Sequence, residues 1–92
     1  MSTLHGMAAL EIDHQAPEPP YRQIAADLTG QIERGELVAD RPIPSEKALT
    51  DRYGVARNTV RSAISVLREN GLVYTVPNRG TYVRDRSAPD DK

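Results

Sequence analysis

Residues 57–61 read Arg-Asn-Thr-Val-Arg, and Arg68 follows two turns further on at helical spacing. At ~100° per residue, Arg57, Arg61 and Arg68 fall within about 40° of one another, beside a polar sector of Asn58, Ser62 and Ser65. Arg and Asn are the side chains that grip guanine and adenine edges with paired hydrogen bonds. Helices that do this in the major groove work mainly from their N-terminal turns. Arg57, Asn58, Thr59 and Arg61 are therefore candidates for base and phosphate contact, while Arg68 is expected to reach a phosphate or only solvent. A further cation, Arg79, lies between Asn78 and Gly80, two residues tolerant of positive φ. An arginine at such a loop tip can enter a minor groove or clamp a phosphate.

Arginines on a helix face are more often a solvated surface than a site. Their setting argues otherwise here. Gly54 precedes them and permits a tight turn, with Val55 placed to plug the junction between two helices. Leu49, Tyr53, Val55, Val60 and Ala63 have the apolar spacing of a helix-turn-helix. Ser45 can cap the earlier helix, with Glu46 at the positive end of its dipole and Ala48, Leu49 and Tyr53 facing inward. The later helix runs from about Arg57 to Asn70, stopped by Gly71, and turns Val60, Ala63, Ile64 and Leu67 to the core. Leu72–Val76 and Thr81–Arg84 then read as two strands of a hairpin. The fold class is α+β: three helices followed by a two-stranded β-hairpin wing.

The first of the three helices is set by Pro20 at its start, by Tyr21, Ile24, Leu28 and Ile32 at three- and four-residue steps, and by Gly35 as its stop. Pro42 and Pro44 exclude a helix between Leu37 and Pro44, which is irregular or a short strand. The domain organisation expected is an N-terminal tail over 1–19, with a possible short strand at Leu10–Ile12 and a Pro-rich linker, a winged-helix domain over 20–85, and a disordered tail over 86–92. Met7 is an alternative start to Met1.

The net charge of −1 conceals a division. Residues 1–44 hold three basic against seven acidic side chains, residues 45–86 eight basic against four acidic. One half is therefore anionic and the other cationic, and it is the distribution that matters for phosphate binding. Ninety-two residues without Phe, Trp or Cys make one domain held by aliphatic packing and a few tyrosines. Absence of cysteine excludes disulfides and thiolate metal sites. No apolar run approaches ~18 residues and no export signal opens the chain, so a cytoplasmic, non-membrane protein is expected. His5 and His14 lack acids at ligand spacing, and no glycine loop could cradle a phosphate group. No enzyme activity, metal or cofactor is expected.

These residues resemble the GntR family of bacterial transcription regulators. The matching stretches are Pro20 to Ile24, Gly35 to Leu37, Pro44 to Glu46, Tyr53 to Arg61, Gly71 to Val73 and Arg79 to Val83, in order over about residues 19–84. The resemblance implies a winged helix that reads the major groove with the helix starting near Arg57. By resemblance, Lys47, Arg57, Asn58, Thr59 and Arg61 contact DNA, and Arg79 and Gly80 lie in or beside the minor groove. It also implies a homodimer on an inverted-repeat operator and repression of transcription. The sequence departs from the family pattern in four places. Ala48 replaces a capping-box Glu, Ala56 a capping Ser or Thr, Asn58 a Thr, and Asn78 a Gly. Family members normally carry a C-terminal domain that binds a metabolite and dimerises. Here about eight residues follow the wing, so the expectation is either a stand-alone DNA-binding domain or a short form whose dimer contacts come from elsewhere, such as the Leu10–Ile12 strand, with no small-molecule effector supported. The rival expectation is a winged helix that binds protein through its acidic half and lacks specific DNA binding.

Overall fold

A computed structural model describes residues 11–85. Its elements are α1 (Pro20–Glu33), α2 (Glu46–Tyr53), α3 (Arg57–Glu69), β1 (Val73–Val76) and β2 (Gly80–Val83). The three helices and the antiparallel hairpin form a winged helix-turn-helix, as the sequence implies. α3 is the hub, with α1, α2 and β1 all packed on it.

The apolar stripes meet in one core. Ile24, Leu28 and Ile32 of α1, Leu49 and Tyr53 of α2, and Val60, Ala63, Ile64 and Leu67 of α3 are all buried. Val55 is half-buried against them, the plug its position after Gly54 suggests. Gly54 itself adopts φ 66° and ψ 39° as the cap of α2, and its N–H donates to the Thr50 carbonyl. That left-handed geometry carries a steric cost for any residue with a Cβ, and it ends α2 so that the chain can turn into α3 within a few residues. α3 ends in a Schellman motif, with Leu72 N–H on the Leu67 carbonyl and Gly71 N–H on the Arg68 carbonyl. Leu72 is buried, which hands the chain directly into β1.

Ala48 is a correction. It was expected on the inward face of α2, yet it is exposed. α2 has eight residues and touches the core through the Leu49–Tyr53 stripe alone, so the neighbouring position turns outward. The Ala48 backbone still contributes, donating its N–H to Ser45 Oγ at 3.1 Å and completing the cap.

The hairpin pairs Val73 with Val83, Tyr74 with Tyr82, Thr75 with Thr81 and Val76 with Gly80. Its turn spans Val76–Arg79, closed by Arg79 N–H on the Val76 carbonyl at 3.0 Å. Pro77 at the second position and Asn78 at φ 66° at the third are what a type II turn requires. The segment before α2 lies along the free edge of β2. Asp40 and Ile43 donate to the Val83 and Thr81 carbonyls, and Val83 N–H returns to Arg41. Pro42 and Tyr82 form an isolated antiparallel bridge. Pro42 and Pro44 bring no N–H groups, so the ladder cannot extend.

Residues 11–13 lie in no strand, and Leu10 falls outside the described residues, as does the segment 86–92 expected to be disordered. Gln23 ties down what precedes α1. Its Oε1 accepts from Asp13 N–H at 2.9 Å, and its Nε2 donates to the Asp13 and Glu18 carbonyls. Ile12 packs against the core. Among the described residues, no helix is long and apolar enough to cross a membrane.

Candidate nucleic-acid interface

The geometry of α3 follows from its two faces. Val60, Ala63, Ile64 and Leu67 are buried, so the opposite face, centred near Asn58, Ser62 and Ser65, must point away from the protein. Thirteen residues make a rod of about 20 Å, a size the major groove of B-DNA admits. Its N-cap, Ala56, has the extended backbone of a capping residue but no side chain to accept from the first turn.

The expected contact residues divide between two depressions on either side of α3. A cleft of about 800 Å³ lies between the start of α2, α3 and the wing. Lys47, Arg61, Arg68, Arg79 and Gly80 line it. A smaller cleft of about 180 Å³ lies between α3 and the start of α1, lined by Pro20, Tyr21, Asn58, Thr59 and Ser62. Asn58 and Thr59 thus sit on the α1 side, while Lys47, Arg61, Arg79 and Gly80 sit on the wing side. Arg57, at the first position of α3, belongs with the second group through its ion partner. Thr59 is half-buried and the rest of the set is exposed.

Ion pairs bind this face together. Glu46, the first residue of α2, places Oε2 3.1 Å from Arg61 Nε and Oε1 3.6 Å from Arg57 Nε. Lys47 reaches Asp51 one turn on at 3.1 Å. Arg68 is exposed, and its Nε donates to Thr75 Oγ1 of β1 at 3.2 Å, linking α3 to the wing. The Arg79 guanidinium has no hydrogen bond or ion pair among the described residues, only its backbone N–H being engaged, on the Val76 carbonyl. It stands at the turn tip, held forward by the type II geometry.

The Glu46 bridge was not foreseen from sequence. Glu46 precedes Arg57 and Arg61 by 11 and 15 positions, and only the crossing of α2 over α3 brings them together. The i, i+4 spacing of the two arginines was visible, but the acid between them carried no local signal beyond its place at a helix start.

Beneath the site, Tyr53 donates its hydroxyl to Asp27 Oδ2 at 2.6 Å, tying α2 to α1, and Gln31 donates to the same oxygen at 3.1 Å. Burial, then the Asp27 hydrogen bond, pushes the Tyr53 phenol up to about 12. On the wing, Tyr74 stacks on Tyr82 with ring centroids 5.9 Å apart and donates to Asp40 Oδ1 at 2.9 Å. That hydrogen bond raises the Tyr74 phenol. Among the described residues, no group of three or more His, Asp or Glu side chains could hold a metal ion.

Comparison with known proteins places this arrangement. The family model described as bacterial regulatory proteins, gntR family, matches residues 20–83. The HTH-type transcriptional repressor NagR of Bacillus subtilis is 45% identical over 74 residues, covering 80% of this chain and 30% of the relative. The mannosyl-D-glycerate transport/metabolism system repressor MngR of Escherichia coli is 43% identical over 68 residues, covering 74% and 28%. The chain therefore spans under a third of the length of these relatives. Among solved structures, the DNA-binding domain of AraR in complex with operator ORX1 superposes with a TM-score of 0.72 at 36% identity, covering 82% of this chain and 96% of that one. YtrA from Sulfolobus acidocaldarius, a GntR-family transcription factor, gives 0.77 at 30% identity, covering 86% and 83%.

Proposed function

Because the chain belongs to the gntR family of bacterial regulatory proteins, we propose that it binds double-stranded DNA sequence-specifically and represses transcription. In this proposal α3 enters the major groove. Arg57, Asn58, Thr59 and Arg61 meet base edges and flanking phosphates, Lys47 meets a phosphate from α2, and Arg79 and Gly80 approach the adjacent minor groove. The observation that carries it is the exposure of Arg57, Asn58 and Arg61 along the start of α3, with Arg61 sharing one cleft with Lys47 and the wing-tip Arg79. The AraR domain, bound to operator DNA, has the same fold at 36% identity and supports this choice of partner. The protein-binding alternative has no comparable support.

A single module of this kind covers about 600–1,000 Å² on DNA. Two copies on an inverted repeat are therefore proposed as the operator-bound state. The localisation proposed is cytoplasmic, where the DNA is, and the domain proper is proposed to span residues 20–85.

The test begins with selection of duplexes from a randomised library by the wild-type protein. Fluorescence anisotropy then compares the enriched duplex with a scrambled duplex of equal length at two salt concentrations. Binding should favour the enriched duplex and collapse in the R57A/R79A variant. Absence of binding at low salt, or indifference to the double substitution, would sink the proposal. Analytical ultracentrifugation on the enriched duplex should give two protein chains per site, and one chain per site would overturn the dimer.

A further inference from the structure

Glu46 is an acid placed among the cations that would meet DNA. Each of its oxygens takes a different arginine, so one carboxylate spans two successive turns of α3. With its side chain 36% exposed, it stands at the mouth of the site rather than beneath it. Were phosphate affinity the sole demand, a carboxylate here would be a defect, since it repels the backbone and cancels one of two positive charges.

The contact atoms suggest what it does instead. Both pairs are made through Nε, so the carboxylate does not take up the terminal nitrogens of either guanidinium as its hydrogen-bond donors. Those terminal donors are the pair that can engage two acceptors at once, such as guanine O6 and N7. Exposed ion pairs of this sort are individually weak, so they bias the arginines without locking them. We propose that Glu46 is a specificity-determining positioning residue. It holds Arg57 and Arg61 oriented for base edges and withholds them from the phosphate backbone at non-cognate sequence. The inference rests on the DNA-binding function proposed above. Glu46 acts through the two arginines and by lowering the charge that scattered phosphates can recruit.

The experiment measures anisotropy titrations on the enriched and scrambled duplexes over a range of salt. Wild type, E46Q and E46A are compared, with E69Q as a control that changes the net charge equally from the far end of α3. Circular dichroism melts establish that each variant is folded. E46Q and E46A should bind the scrambled duplex about tenfold more tightly at low salt, with a log–log salt slope steeper by about one unit. The enriched-to-scrambled ratio should fall about tenfold, while E69Q leaves it unchanged. In an R57A/R61A background, most of the E46Q effect on scrambled DNA should disappear, a result that a merely structural role for Glu46 would not produce. A ratio equal to wild type in E46Q, or an undiminished effect without the two arginines, overturns the inference while leaving the DNA-binding function standing. A wild-type protein that does not distinguish the two duplexes sinks both.

Discussion

Replacing Tyr53 with Phe removes one oxygen from the junction of α1 and α2. The residue is 6% exposed, so the ring still fills its place, and no cavity opens. What is lost is the 2.6 Å hydrogen bond to Asp27, a bond to a charged acceptor worth about 1.5–3 kcal/mol. Asp27 keeps the Gln31 donor and is half-buried, so water can replace the phenol in part. The loss should fall at the low end, about 1.5 kcal/mol, which for a domain of this size lowers Tm by about 6–12 °C. The pH dependence supplies a second check. The folded phenol is raised to about 12 from an ordinary value of 10, so folding favours the protonated form. The stabilisation is then complete below pH 10 and is lost as pH rises through 12. Phenylalanine does not titrate, and the other tyrosines are common to both chains. The gap between wild type and Y53F, read from urea midpoints at constant m, should therefore narrow through that window by about 1–2 kcal/mol after allowance for partial hydration. Equal stability at pH 7, or a gap unchanged to pH 12, would refute the reasoning.

Ala56 caps α3 with the right backbone and the wrong side chain, so A56S should stabilise the domain by about 1 kcal/mol, seen as a higher Tm. Failure of Tm to rise would mean that the first-turn N–H groups of α3 already have acceptors. R57A should weaken binding to the enriched duplex by about 1–3 kcal/mol and relax base preference at one position, measured by competition with single-base variants. R79A should instead weaken enriched and scrambled duplexes alike and flatten the log–log salt slope by about one unit.

The sequence by itself determined the elements and their order. Local rules act over a turn or two, and each left a mark: Pro20 and Ser45 at helix starts, Gly54 and Gly71 at helix stops, and four-residue apolar steps along α1 and α3. Asn78 between Pro77 and Arg79 marked the wing turn, and the division of charge marked the cationic half. Tertiary structure decided what those elements do to one another. The crossing of α2 over α3 sets Glu46 between Arg57 and Arg61 and turns Ala48 outward. The packing of the wing gives Arg68 to Thr75 and sets Arg79 in the same cleft as Arg61, and α3 separates Asn58 and Thr59 from that cleft. Such contacts join residues with no shared local periodicity. Their geometry exists only once the aliphatic core has fixed the angles between helices, because charge and spacing along the chain do not specify which side chain meets which across it.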